Sequence, residues 1–129
     1  MTGRLAGQHV VVTGGSRGIG AAIVEKALAE GAAVSFIDID EAAGHAFAAG
    51  LPDRDRVHFA RGDIRFADQI KRFHEGAVAR FGPVTALVNN AGRNSNADPI
   101  KMTEDEWDAV FAVDLKSAWL CAREVLPAM

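Results

Sequence analysis

Short apolar runs alternate along the chain with longer segments of helical periodicity. The apolar runs predict strands at residues 10–13, 34–38, 57–61 and 86–89. The longer segments predict helices at residues 18–30, 41–49, 67–81 and 103–129, the last one broken near Asp114. Strands that alternate with helices form parallel sheets with right-handed crossovers and helices on both faces. The pattern therefore predicts an α/β fold, a doubly wound parallel sheet with these strands in the order 3-2-1-4.

The C-terminal segment keeps a helical apolar periodicity up to its last residue. The residues that carry it are Leu115, Ala118, Trp119, Ala122, Leu126 and Met129. Four strands alone would leave the apolar run 86–89 as an open sheet edge, which native sheets avoid. We therefore expect residues 1–129 to form one domain whose sheet is incomplete at the C-terminus. We expect Trp107 and Trp119 to serve core or interface packing rather than substrate contact.

Composition excludes several classes of function. The 129 residues are 49% hydrophobic with a formal charge of −3, and Lys and Arg are scattered, which argues against a nucleic-acid partner. No apolar run is long enough to span a membrane, and we expect a cytoplasmic protein. The four histidines share no ligand spacing, so no metal site is predicted, and the single cysteine, Cys121, is expected to be a buried small hydrophobe.

The strongest chemical signal is a glycine-rich turn, Thr13-Gly14-Gly15-Ser16-Arg17-Gly18-Ile19-Gly20, between the first strand and the first helix. Free backbone N–H groups and the helix dipole converge at such a turn, and glycines let a phosphate approach the backbone. The turn predicts a phosphorylated ligand, most simply a dinucleotide. The same residues also match the G-x-S-x-G nucleophile elbow, although too little chain precedes Ser16 to supply an oxyanion-hole loop.

Asp38 follows the second strand, 18 residues after Gly20. An acid about 20 residues beyond the glycine turn accepts hydrogen bonds from the ribose hydroxyls of a dinucleotide. The alternative is a solvated acid at a strand end. Asp38 would repel a 2′-phosphate and so favours NAD over NADP, whereas the guanidinium of Arg17 could pair with that phosphate.

Two further polar sites follow the third and fourth strands. Asn89-Asn90-Ala91-Gly92 comes directly after the fourth strand, where ligands of such sheets bind, and the alternative is an Asn-rich turn. Asp63 follows the third strand and could accept a hydrogen bond from an adenine amino group. A carboxylate that starts the next helix is the alternative for Asp63.

Taken together, these motifs resemble the N-terminal half of the short-chain dehydrogenases/reductases, in order and spacing. The resemblance implies a Rossmann-type fold and hydride transfer between a nicotinamide cofactor and a secondary alcohol or its ketone. It also implies NAD as cofactor, with NADP less favoured, and a homo-oligomer, either dimer or tetramer. The implied cofactor-binding residues are Thr13, Gly14, Ser16, Arg17, Gly18, Ile19, Gly20, Asp38, Asp63, Ile64, Asn90, Ala91 and Gly92.

The sequence departs from the family pattern at two points. Asp114 stands where the family has a catalytic Asn at a helix distortion, and the alternative is a polar residue at a helix kink. The family's Ser and Tyr-x-x-x-Lys find no match, and the chain contains no tyrosine at all. We therefore expect this chain to supply the cofactor-binding half of an NAD(P)-dependent oxidoreductase. The alternative is a nucleotide-binding or interaction module that is catalytically incomplete.

Overall fold

The computed structural model describes residues 2–129, and within them four strands form a parallel sheet in the order β3-β2-β1-β4. The predicted strand order is thus confirmed. Each strand begins and ends within one residue of the prediction, and the bounds are His9–Thr13 for β1, Ala33–Asp38 for β2, Val57–Arg61 for β3 and Ala86–Val88 for β4.

Five α-helices connect or follow these strands in the described part of the chain. Two of them begin with side-chain caps. Asp40 accepts a hydrogen bond from the N–H of Ala43, and Thr103 accepts one from the N–H of Glu106. The bounds are Gly18–Ala29 for α1, Glu41–Gly50 for α2, Ala67–Phe81 for α3, Glu104–Phe111 for α4 and Ser117–Val125 for α5.

The predicted last helix, 103–129, is interrupted near Asp114 as expected. A π-helical turn over Ala112–Lys116 joins α4 to α5, and a 3₁₀ turn over Leu126–Ala128 follows α5. The N–H of Ser117 bonds to the carbonyl of Ala112, five residues back, while its hydroxyl donates to the carbonyl of Val113 at 2.6 Å. The break predicted near Asp114 is therefore an extra residue inserted into a continuing helix.

The sheet separates two apolar clusters because successive residues of a strand point to opposite faces. Val10 and Val12 of β1 pack with Phe36 on the side of α1 and α2. Val11 packs with α3 and α5 on the other side, next to Cys121. Cys121 is buried, as predicted, and burial raises the pKa of its thiol to about 11.

At the amino ends of the strands, the buried His9 and the half-buried His58 interrupt the apolar core. His9 is 2% exposed, and its ring nitrogens contact the carbonyl of Gly82 at 2.9 Å and the hydroxyl of Ser35 at 2.8 Å. The ring of His58 stacks on that of Phe73. Burial lowers the pKa of both His9 and His58. These histidines are therefore structural groups that the fold holds neutral.

A row of large apolar side chains on α4, the π turn and α5 faces outward. Trp107, Phe111, Leu115 and Trp119 recur every four residues, and each is between 44% and 63% exposed. Both tryptophans therefore lie outside the core. Of the two roles expected for them, core packing and interface packing, interface packing remains. We call these four residues the apolar stripe.

Among residues 2–129, no helix combines the length and the apolar character that a membrane crossing requires.

Candidate functional site

A cleft of about 710 Å³ opens at the carboxyl ends of the strands, between the turn after β1 and the loop after β4. This is the edge where ligands of doubly wound sheets bind. The wall of the cleft is formed by Gly14, Arg17, Ile19, Ile37, Asp38, Ile39, Asp40, Gly62, Asp63, Ile64, Arg65, Asn90, Ala91, Gly92, Arg93 and Val113.

Most of the residues selected from the sequence lie on this wall. The turn contributes Gly14, Arg17 and Ile19, and the ends of the other strands contribute Asp38, Asp63, Ile64, Asn90, Ala91 and Gly92. Of the remaining predicted residues, Thr13, Ser16 and Gly20 are buried beside it, while Gly18 and Asp114 are exposed. The fold thus brings segments that are far apart in sequence to one cleft.

The start of α1 presents free backbone N–H groups at the glycine turn. Its N-cap is Arg17, and no side chain among residues 2–129 caps it, so its first N–H groups have no intrahelical or side-chain partner. Gly18 has a φ of +57°, and a Cβ there would meet nothing within 4 Å among the described residues. A phosphate can therefore approach these N–H groups directly.

The hydroxyl of Ser16 is buried and has no hydrogen-bond partner among the described residues. A nucleophile elbow would hold its serine exposed and hydrogen-bonded to a histidine. Neither condition holds for Ser16 in the described structure, so the G-x-S-x-G match carries no hydrolase geometry. The hydroxyl is instead an unsatisfied polar group inside the turn.

The turn is closely packed around Gly20. A Cβ on Gly20 would lie 2.6 Å from Nδ2 of Asn90 and would collide with the carbonyl oxygen of Gly14. The side-chain amide of Asn90 donates to the carbonyls of Thr13 and Gly14, both at 3.1 Å. Gly20 therefore leaves room for Asn90, and Asn90 fastens the end of β4 to the turn.

Asp38 lies between the turn and α2. Its Oδ2 accepts a hydrogen bond from the N–H of Ser16 at 3.2 Å, and its Oδ1 accepts one from the N–H of Asp40 at 3.1 Å. A carboxylate oxygen has two lone pairs, so each oxygen keeps one acceptor position. Asp38 is thus held in place while it can still receive hydroxyl groups from the cleft.

Asp63 differs from Asp38 because a neighbouring cation covers its carboxylate. Its Oδ1 accepts from the N–H and the Nε of Arg65, both at 3.0 Å, and its Oδ2 accepts from Nη2 of Arg65 at 2.6 Å. The guanidinium of Arg65 is the main reason that the pKa of Asp63 is lowered. The N-cap of α3 is Phe66, so Asp63 is not the carboxylate that starts that helix. An adenine amino group would have to compete with Arg65 for Asp63.

Asp114 connects the π turn to the loop after β4. Its Oδ1 accepts a hydrogen bond from the N–H of Arg93 at 2.8 Å and lies 3.4 Å from the position that a Cβ on Gly92 would take. An Asn could accept the same bond through its amide oxygen. The structure therefore gives Asp114 a positioning contact in which Asp can replace Asn.

Three charged residues of the cleft wall were not among the predicted site residues. Asp40 carries a recognisable signal, because an Asp three residues before the bonded N–H of Ala43 is a typical N-cap. Arg65 lies two residues after Asp63, close enough for a local ion pair, but nothing in the sequence marks it. Arg93 reaches the cleft only because the loop after β4 is held against the π turn.

Comparisons with known proteins agree with this geometry. A family model described as short chain dehydrogenase matches residues 8–129. The chain therefore belongs to the short-chain dehydrogenase/reductase family.

Individual relatives show the same likeness. The chain is 35% identical over 127 residues to a probable galactose dehydrogenase of Rhizobium meliloti (strain 1021), which covers 97% of this chain and 50% of that protein. A crystal structure from Brucella melitensis, described as a short-chain dehydrogenase/reductase of the glucose/ribitol dehydrogenase type, matches with a TM-score of 0.94 and 29% identity, over 100% of this chain and 54% of that one. A blue fluorescent protein from a metagenomic library, solved in complex with NADPH, matches with a TM-score of 0.90 and 29% identity, over 97% and 52% of the two chains.

The chain thus spans about half the length of the curated relatives that it matches.

Proposed function

We propose that this protein is an NAD-dependent oxidoreductase of the short-chain type, and that residues 1–129 supply its cofactor-binding half. The observation that supports the proposal most is the cleft that places the uncapped start of α1 next to Asp38. The bound dinucleotide would supply hydride transfer to or from a secondary alcohol or its ketone, and the protein supplies position and a proton path.

The cleft residues fit such a ligand in a definite orientation. The N–H groups at Gly18 and Ile19 would bind the pyrophosphate, since no described side chain caps that helix end. The free lone pairs of Asp38 would accept hydrogen bonds from the adenosine ribose hydroxyls. Asn90, Ala91 and Gly92 would border the rest of the ligand on the other side of the cleft.

We propose NAD rather than NADP because Asp38 carries a charge of the same sign as a 2′-phosphate. Asp38→Ala is expected to weaken NAD binding at least about tenfold, since it removes charged hydrogen-bond acceptors, and to improve NADP binding. Asp38→Asn is the matched variant, because it removes the charge but keeps an acceptor. Isothermal titration calorimetry with both dinucleotides measures the effects, and unchanged affinity for both would remove Asp38 from the site.

The group that transfers the proton in this family is a Tyr in a Tyr-x-x-x-Lys arrangement, and the present sequence contains no tyrosine. We propose that it lies in the part of the relatives' length that this sequence does not cover. Asp114 would then be a positioning residue, because it holds the N–H of Arg93 at the mouth of the cleft.

The missing tyrosine also supports a second candidate, a nucleotide-binding module that performs no catalysis. The intact mass of the protein separates the two. A mass well above that of residues 1–129, with a Tyr-x-x-x-Lys in the added sequence and turnover of a secondary alcohol, supports the enzyme. A longer protein without that motif, or one of the present length that binds NAD without turnover, supports the module.

We further propose that the protein forms a homo-oligomer through the apolar stripe. Exposed apolar patches of this kind typically mark protein interfaces. The four side chains lie on one helical row, where a second copy can cover them together, and the rings of Trp107 and Phe111 stack with their centroids 4.6 Å apart.

A further inference from the structure

Arg17 projects from the glycine turn into the cleft, where it meets a carboxylate from another element. Its Nη2 pairs with Oδ2 of Asp40, which lies 23 residues further along the chain. Both side chains belong to the wall of the cleft. The one cation of the glycine turn is therefore already balanced by an anion at the start of α2.

Backbone contacts hold Asp40 in this position. Its N–H donates to Oδ1 of Asp38 at 3.1 Å, and its own Oδ1 accepts from the N–H of Ala43 at 2.9 Å as the cap of α2. Its other oxygen, Oδ2, is left to face Arg17. Asp38 in turn accepts the N–H of Ser16, the residue before Arg17. Three hydrogen bonds and the peptide bond between Ser16 and Arg17 thus link the four residues Ser16, Arg17, Asp38 and Asp40 into a closed ring.

Asp40 stays ionised in this ring at neutral pH. The N–H of Ala43 and the guanidinium of Arg17 lower the pKa of Asp40. The side chain of Arg17 is 67% exposed and that of Asp40 is 42% exposed, and ion pairs this open to water contribute little to stability. Loss of Asp40's charge would therefore free Arg17 while costing the fold little, provided that the helix cap is kept.

We propose that Asp40 is a second determinant of dinucleotide choice, because it holds Arg17 and so prevents that arginine from recruiting a 2′-phosphate. This inference rests on the proposed function of the cleft. Asp38 acts by direct repulsion of the phosphate, whereas Asp40 acts by withholding the cation that would attract it. Rejection of NADP then depends on two carboxylates with different modes of action.

Asp40→Ser tests the proposal, because Ser caps a helix as well as Asp does but is too short to reach Arg17. We expect NADP to bind up to about fivefold more tightly to this variant, because the exposed ion pair that it removes is worth at most about 1 kcal/mol, and NAD affinity to change less than about twofold. Arg17→Gln alone should leave NADP affinity nearly unchanged, because Arg17 is already paired. The double variant Asp40→Ser/Arg17→Gln should lose the gain in NADP affinity.

Asp55→Ser is the matched control, since it removes an equal charge from an exposed residue just before β3, at the opposite end of the sheet. It should leave the affinity for both dinucleotides unchanged. Dissociation constants come from calorimetry, and a thermal melt of each variant checks that it is folded. If Asp40→Ser unfolds, Asp40→Asn replaces it, because Asn also caps the helix and lacks the charge.

The outcomes separate this inference from the function on which it rests. A wild-type protein that binds neither dinucleotide overturns both. Normal NAD binding with no NADP gain in Asp40→Ser overturns the role of Asp40 and leaves the proposed function intact. If the gain in NADP affinity persists in the double variant, or if Asp55→Ser reproduces it, the loss of one negative charge explains the gain. Either result overturns the action of Asp40 through Arg17.

Discussion

The hydroxyl of Thr13, at the end of β1, is the acceptor that anchors Asn90, at the end of β4. Oγ1 of Thr13 accepts the N–H groups of both Asn90 and Ala91, each at 3.0 Å. Thr13 is only 2% exposed, so water cannot replace this acceptor. One side chain therefore sets the distance between the two sides of the cleft.

Replacing this hydroxyl should destabilise the protein in a specific way. Thr13→Val keeps the shape but leaves the N–H of Ala91 without a partner, while the N–H of Asn90 keeps only the carbonyl of Val88 at 3.1 Å. We expect the free energy of unfolding to fall by about 2 kcal/mol. Thr13→Ser keeps the acceptor and loses only a methyl group, which should cost about 1 kcal/mol or less. Urea denaturation measures both. A Val variant as stable as the Ser variant would contradict the anchoring role of Thr13.

Gly20 should tolerate no side chain. Gly20→Ala would push against the carbonyl of Gly14 and against Asn90, so we expect a lower melting temperature and loss of dinucleotide binding. Gly50→Ala is the matched control, because a Cβ at Gly50 meets nothing within 4 Å of the described residues. Since Ala is a better helix former than Gly, the control should be as stable as the wild type or up to about 1 kcal/mol more stable. Equal behaviour of the two variants would show that the turn is not closely packed.

His9 and His58 predict how the stability of the protein depends on pH. The folded-state pKa values of His9 and His58 lie below the ordinary value of 6.5, because burial disfavours the charged ring. Their neutral forms therefore stabilise the fold fully above pH about 6.5, and this contribution is lost as the pH falls through the folded-state values. The free energy of unfolding should decrease on going from pH about 7.5 to about 5.5.

A variant locates the source of this pH dependence. His58→Phe keeps a ring against Phe73 and removes one titrating group, so the slope of stability against pH should become smaller. A stability that is flat between these pH values, or that rises towards acid, would refute the assignment.

The apolar stripe predicts the effect of a charge at its centre. Leu115 is 63% exposed within the stripe, so Leu115→Glu should convert the proposed homo-oligomer into monomers. Ile100→Glu makes the same change at a residue that is 93% exposed outside the stripe, and it should leave the assembly intact. Analytical ultracentrifugation gives the masses. An unaltered mass in Leu115→Glu would exclude the stripe as the interface.

The features that could be predicted from the sequence are those that short segments encode. Each strand contains a short run in which apolar residues dominate, and the glycine turn lies between such a run and a helix, so the sheet order and the position of the cleft follow from local patterns. The helix break near Asp114 could also be predicted, but its type could not, because an inserted π turn depends on packing around the helix rather than on composition.

Side-chain pairing across the cleft could not be predicted. The sequence suggested that Arg17 was a free cation and Asp63 a free acceptor, yet the fold pairs Arg17 with Asp40 and Asp63 with Arg65. Both pairings depend on how strand ends and rotamers place the charged groups, and neither leaves a periodic signal. The burial of His9 and the partial burial of His58 could not be predicted either. They lie on β1 and β3, two strands that are joined only through β2.

The central claim is that a nicotinamide dinucleotide binds at the carboxyl ends of the strands with its pyrophosphate on the start of α1. An NMR titration of the ¹⁵N-labelled protein with NAD tests it most directly. We predict saturable shifts of the backbone amides of Gly18, Ile19 and Ala91, while Gly7 and Gly31, which line a second cavity of about 460 Å³ at the opposite end of the sheet, stay in place. Absence of saturable shifts at the start of α1, or shifts centred on Gly7 and Gly31, would contradict the account.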